Sequence, residues 1–220
     1  GNGFWNATDA CCNFAGSTVD DSKYLIDLVS EIKSKVDIDP KRVFFVGHSN
    51  GGFMSYRMAC DHADAIAAVV SISGATYDDV ADCAPVRPVS TLEIHGTSDA
   101  VIQYGGGTLP GADGPYPGAT ETAATWAAYN GCEGSPVSLD PFDGLDGLPG
   151  DETGVERYAL GCSGAVTELW TVNGGPHSPV INDTLRDRVI AFLVDAGNRI
   201  FTDGFETGST SAWSSSVGEP

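Results

Sequence analysis

Ser49 sits in Gly47-His48-Ser49-Asn50-Gly51, a serine held between glycines two positions away on either side. A serine hydroxyl is a poor nucleophile at neutral pH. It becomes an effective one when a histidine takes its proton and a carboxylate orients that histidine. The flanking glycines predict a sharp, strained turn, and a Cβ at Gly47 or Gly51 is expected to collide with neighbouring backbone. Before the turn, Arg42-Val43-Phe44-Phe45-Val46 is β-branched and aromatic and reads as a buried strand. After it, Phe53 to Ala59 suits a helix. Strand, turn and helix together would lift the Ser49 hydroxyl to a strand tip beside a helix N-terminus. There the backbone N–H of Asn50 can face a developing oxyanion. The competing reading is a Gly-rich turn in which Ser49 only caps a helix. With 28 glycines among 220 residues, the pentapeptide alone does not decide between them.

A strand-borne serine of this kind expects its acid and its base later in the chain, each on a loop after a strand. Pro88 to His95 reads as a strand and Gly96-Thr97-Ser98-Asp99 as the loop after it, which makes Asp99 the candidate acid. Asp78, Asp79, Asp82 and Asp113 compete with it and read as solvated loop residues. Val166 to Val172 reads as a further strand, followed by Asn173-Gly174-Gly175-Pro176-His177, which makes His177 the candidate base. The chain has four histidines. His48 would flank Ser49 rather than reach it. His62 suits a solvated or capping role at a helix end. His95 reads as a packing or turn residue.

The elements that must carry these groups follow from periodicity and breakers. Asp20 to Lys35 reads as a helix, Asp39-Pro40 as a break before the nucleophile strand, and Ala65 to Ser73 as another strand. Gly105 to Gly118 is a Gly/Pro-rich loop suited to a cleft rim. Thr120 to Asn130 and Asp183 to Ala196 read as helices, the latter with Leu185, Val189, Phe192 and Leu193 at helical spacing. The carboxylate-dense stretch from Asp140 to Glu152 offers enough oxygens for a calcium site, but it lacks EF-hand spacing and reads as a solvated acidic loop. From Asn198 to Pro220 the composition turns Ser/Thr/Gly-rich and suits a tail.

Composition narrows the function classes. The formal charge is −19, with 11 Lys and Arg against 30 Asp and Glu, which argues against nucleic acid and anionic membranes as partners. No apolar run is long enough to span a bilayer. The six cysteines contain no C-x-x-C pair, so no metal or other cofactor is implied. They suit an oxidising compartment, with Cys132 expected to pair with Cys162 and Cys60 with Cys83. Cys11 and Cys12 either bridge each other or pair elsewhere, and reduced, buried cysteines are the alternative to the whole scheme.

Several blocks together carry a family resemblance: Gly47 to Cys60 (GHSNGGFMSYRMAC), Ile94-His95-Gly96-Thr97-Ser98-Asp99, and Glu168 to His177 (ELWTVNGGPH), with Trp5-Asn6 and Val19-Asp20-Asp21 upstream. In this order they resemble secreted α/β-hydrolase esterases grouped with polyhydroxybutyrate depolymerases and with feruloyl or acetylxylan esterases. The resemblance spans most of residues 1–197. It implies an α/β fold, a mostly parallel sheet flanked by helices, with Ser49, Asp99 and His177 on the family's triad positions. It also implies an extracellular or periplasmic enzyme, monomeric, acting on a carboxylic ester substrate that can be polymeric. The family carries several strands and a second oxyanion donor ahead of the nucleophile strand, and here 48 residues precede Ser49. The domain is therefore expected to be N-terminally incomplete, with an inactive fragment or a polymer-binding or interaction module as the alternative. Of the aromatic residues, Trp5 and Tyr104 are expected at the substrate, whereas Phe53 and Tyr56 suit the core.

Overall fold

Runs of apolar and β-branched residues bounded by Gly, Pro and Asp make the strands, and the tertiary structure decides how they pair. The protein is described by a computed structural model, which covers residues 3–14 and 16–198. Six strands form one sheet: β1 (Phe44–His48), β2 (Ala68–Ile72), β3 (Ser90–Gly96), β4 (Val137–Phe142), β5 (Thr153–Tyr158) and β6 (Thr167–Val172). Their spatial order is β1-β2-β3-β6-β5-β4. The pairs β1–β2, β2–β3 and β3–β6 are parallel. The pairs β5–β6 and β4–β5 are antiparallel. Four helices flank the sheet: α1 (Asp21–Lys35), α2 (Asn50–Asp61), α3 (Ala119–Tyr129) and α4 (Asp183–Asn198).

Alternation along the central strands sends successive side chains to two separate cores. Val69 joins Phe53, Tyr56, Met58 and Trp126 of α2 and α3 on one face. Val70, Leu92, Ile94 and Trp170 join Leu185 and Phe192 of α4 on the other. Every residue of β3 is buried, including Glu93 and His95, so this strand is covered on both sides. Helix α1 packs on α2, and the Asp20 side chain caps its first turn by accepting from the Lys23 N–H. Asn182 caps α4 in the same manner, its Oδ1 accepting from Leu185 N–H at 3.1 Å.

The acidic stretch is solvated as expected at Asp140, Asp143, Asp146 and Asp151, which are all exposed. It is the turn region of the β4–β5 hairpin, and both flanking strands escaped the sequence reading. Glu152 is buried there. Its Oε1 accepts from the Gly144 and Leu145 N–H groups and the Thr153 hydroxyl. Strand β4 is mostly solvent-facing, with Val137 and Leu139 exposed, so it lacks the apolar signal of the central strands.

The structure forms three disulfides. Cys60–Cys83 and Cys132–Cys162 are paired as expected, and Cys11 bridges its neighbour Cys12. No helix among the described residues is long and apolar enough to cross a membrane. The expected tail lies, beyond Asn198, outside the described residues.

Candidate active site

The parallel strands bring Ser49, Asp99 and His177 together at their C-terminal ends. Ser49 follows β1 and caps α2 with φ 56° and ψ −120°, a left-handed conformation unusual for a residue with a Cβ. Close backbone approaches hold it there. A Cβ on Gly47 would lie 2.0 Å from the Gly51 carbonyl oxygen. Gly51, by contrast, has open space around its Cβ position, which corrects the expectation of a clash there. Gly52 is the second crowded glycine. Its Cβ would meet the Ser71 hydroxyl at 2.7 Å and Gly74 Cα at 3.1 Å, where α2 presses on the end of β2.

Asp99 sits on the turn after β3. It is buried, and its Oδ1 accepts from the Val101 and Ile102 N–H groups at 2.8 and 2.9 Å. His177 lies on the loop after β6. The two loops are stitched together: Ser98 N–H donates to the Gly175 carbonyl, and Gly174 N–H donates to the Thr97 hydroxyl. Gly96 permits this approach, since a Cβ there would stand 2.1 Å from the Gly175 oxygen.

The result is a continuous relay. His177 Nδ1 lies 2.8 Å from Asp99 Oδ2, and His177 Nε2 lies 3.0 Å from Ser49 Oγ. An ionised carboxylate can only accept, so Nδ1 carries the hydrogen and Nε2 presents its lone pair to the serine. Burial works against the Asp99 charge, but hydrogen bonds from His95, His177 and Val101 outweigh it and hold the carboxyl well below the usual range. Such an arrangement can take a proton from a hydroxyl and return it to a leaving group. Asn50 opens α2, and the first N–H groups of a helix have no partner within it.

Trp5 is beside this site. Its N–H donates to Asn50 Oδ1 at 2.7 Å, and Asn50 Nδ2 donates back to its carbonyl at 2.9 Å. Gly3, Phe4, Trp5 and Asn50 line a hollow of about 340 Å³. Tyr104 is placed differently from expectation. It packs with Ala119, Ala123 and Leu169, sets its ring edge-on to His95 and shares a 2.7 Å hydrogen bond with Thr171. Phe53 and Tyr56 are core residues.

His48 flanks the relay, its Nε2 donating to the His177 carbonyl at 2.6 Å. His62 ends α2 and lies 2.9 Å from the Ser22 hydroxyl of α1. Asp78, Asp79, Asp82 and Asp113 are all exposed. His95 is the residue that sequence reasoning undervalued, since it touches Asp99. Its signal was two ionisable residues, Glu93 and His95, alternating within an otherwise apolar strand. Among the described residues, no three His, Cys, Asp or Glu side chains gather as a metal site requires.

The sequence matches the alpha/beta hydrolase fold family over residues 27–159. The chain belongs to that family. As an alpha/beta hydrolase it resembles feruloyl esterase B of Piromyces equi, at 35% identity over 180 residues, covering 79% of this chain and 31% of that protein. It also resembles feruloyl esterase D of Neurospora crassa, at 29% identity over 171 residues, covering 77% of this chain and 51% of that protein. This hydrolase chain thus spans from about a third to about half of the length of these relatives. The acetyl xylan esterase from Aspergillus awamori shares the fold, with a TM-score of 0.56 and 18% identity over 79% of this chain and 67% of that one.

Proposed function

We propose that this alpha/beta hydrolase is a serine carboxylic ester hydrolase. Ser49 is the nucleophile, His177 its general base and acid, Asp99 the group that sets the His177 tautomer, and the Asn50 N–H an oxyanion donor. The observation that carries the reading is the unbroken Ser49 Oγ–His177 Nε2–Asp99 Oδ2 relay, built on a serine in left-handed backbone at a helix N-terminus.

In the reaction, His177 takes the Ser49 proton as the oxygen adds to the ester carbonyl. The tetrahedral oxyanion forms near the start of α2, where the helix dipole and the Asn50 N–H favour negative charge. Collapse expels the alcohol with the proton from His177 Nε2 and leaves an acyl-enzyme. Water, deprotonated by the same nitrogen, then releases the acid.

Ester rather than amide chemistry is supported by the relatives, which are named feruloyl and acetyl xylan esterases. The substrate class we favour is an ester-substituted plant polysaccharide, with a hydroxyalkanoate polyester as the second choice. The three disulfides support an extracellular or periplasmic setting. The test compares p-nitrophenyl acetate, methyl ferulate and acetylated xylan, beside Ser49→Ala and a fluorophosphonate label. Hydrolysis and labelling by the native chain should fall at least about 10³-fold in Ser49→Ala. A folded native chain that neither turns over nor labels would refute the proposal.

A further inference from the structure

Behind Asp99 stands a second histidine that the relay does not use. His95 is 2% exposed. Its Nε2 lies 2.8 Å from the Ile102 carbonyl oxygen and 3.5 Å from Asp99 Oδ2, the same oxygen that accepts from His177. Its Nδ1 lies 2.9 Å from Glu93 Oε1. A carbonyl oxygen only accepts, so Nε2 carries a hydrogen. Glu93 Oε2 is occupied as an acceptor by the Tyr56 hydroxyl at 3.0 Å. Both ring nitrogens therefore face oxygens, and with Glu93 ionised each needs a hydrogen, Nε2 for the Ile102 carbonyl and Nδ1 for the Glu93 carboxylate.

The electrostatics agree with that geometry. Burial alone would strip the proton from His95. Hydrogen bonds to Asp99 and Glu93, together with the Glu93 charge, outweigh burial and lift the imidazole to about 10. Burial raises the Glu93 carboxyl, and the hydrogen bond and charge of His95 oppose it. Burial, then the neighbouring Glu93, push the Tyr56 phenol well up, so it stays a neutral donor.

We propose that His95 is a positioning residue of the Ser49–His177–Asp99 relay: a buried imidazolium, with Glu93 as counter-ion, that shares the Asp99 carboxylate with His177 and keeps His177 neutral and able to accept a proton. This rests on the triad reading above. A carboxylate already facing one cation attracts a second proton onto His177 less strongly. Without the His95 charge, the full field of Asp99 acts on His177, which then keeps its proton to higher pH. Fewer molecules hold a free base at a given pH, so the acid limb of kcat/KM moves upward. A purely structural His95 would lower stability or kcat and leave that limb in place.

The groups facing this pair are few. Around His95 they are Glu93 on β3, Asp99 on the following loop, Tyr56 of α2 through Glu93, and the Tyr104 ring edge-on at 5.8 Å. Around His177 they are Asp99, Ser49 and the His48 ring at 4.9 Å. The His48 ring stands beside His177, so the histidines must be read one by one.

Imidazole nitrogen-15 NMR on the full chain carrying Ser49→Ala does this without relying on activity. At pH 7.5 the His95 ring is expected to show two protonated nitrogens. A neutral single tautomer there would overturn the proposal with no further substitution. Adding His95→Gln should raise the His177 titration midpoint by about one pH unit. The acid limb of kcat/KM should move equally in His95→Gln with Ser49 intact. An unmoved His177 midpoint in folded protein would overturn it. If His95→Gln does not fold, the ring state of His95 in the Ser49→Ala chain decides alone, a neutral single tautomer at pH 7.5 overturning the proposal. Full hydrolysis by Ser49→Ala would instead overthrow the triad reading, a result independent of the NMR.

Discussion

The parallel and antiparallel halves of the sheet are built from strands of similar length and do different work. Strands β1, β3 and β6 run parallel and end on one side, where Ser49, Asp99 and His177 follow directly from them. Strands β4 and β5 supply no member of that relay. The ionic contact of this half lies between strands: Arg157 of β5 reaches Glu168 of β6, with Nε 2.6 Å from Oε1, and Trp170 Nε1 donates to the other carboxylate oxygen at 2.7 Å. Each half thus buries a carboxylate. Asp99 is held for a histidine that must exchange a proton, and Glu168 for an arginine that does not. Parallel strands collect their ends, and the loops after them, on one edge of the sheet. An antiparallel hairpin sends alternate ends away.

The sharpest way to break this contrast is to neutralise each carboxylate's role in turn. Asp99→Asn should cut kcat/KM about 10⁴-fold, because the amide no longer fixes the His177 tautomer, while thermal unfolding still shows a folded chain. Arg157→Leu should do the opposite. It leaves a buried Glu168 charge without its main partner, which should destabilise by about 3 kcal/mol in urea unfolding and leave kcat near the native value. A large loss of kcat in folded Arg157→Leu would erase the distinction between the halves.

Two glycines four positions apart give a finer comparison within the parallel half. Gly47→Ala drives a Cβ into the Gly51 carbonyl and should cost about 2 kcal/mol or more, with loss of activity as the serine turn shifts. Gly51→Ala meets open space inside α2 and should gain up to about 1 kcal/mol in denaturation midpoint. The smallest expected effect is on the outer strand. Leu139→Thr on β4 replaces a 41% exposed side chain and should change stability by no more than about 0.5 kcal/mol, with kcat/KM unchanged.

Ala68 to Ile72 and Leu92 to Ile94 read as apolar because helices cover both sides of these strands. Val43 to Val46 reads the same way, yet β1 is the edge of the sheet and Val46 is 53% exposed, which corrects the expectation of a buried strand there. Strand β4 did not read as a strand, since Val137-Ser138-Leu139-Asp140 alternates for only four residues before Pro141 interrupts it. The same limit applied to the candidate site. Chain order and strand–loop junctions pointed to Ser49, Asp99 and His177, whereas Tyr104, aromatic and loop-borne like Trp5, packs around His95.

By itself, then, the sequence determined the local chemistry: a serine in a glycine-bounded turn, an acid and a histidine each just after a strand, and cysteines spaced to close two loops. Only the tertiary structure decided which groups meet. Ser49 and His177 touch across 128 positions, and Trp5 and Asn50 across 45. It also decided that Gly52 rather than Gly51 is crowded, and that His95 stands behind Asp99. The physical reason is sheet register. Pairing β3 with β6 sets two loops side by side, and every contact between those loops follows from an alignment that neither segment encodes alone.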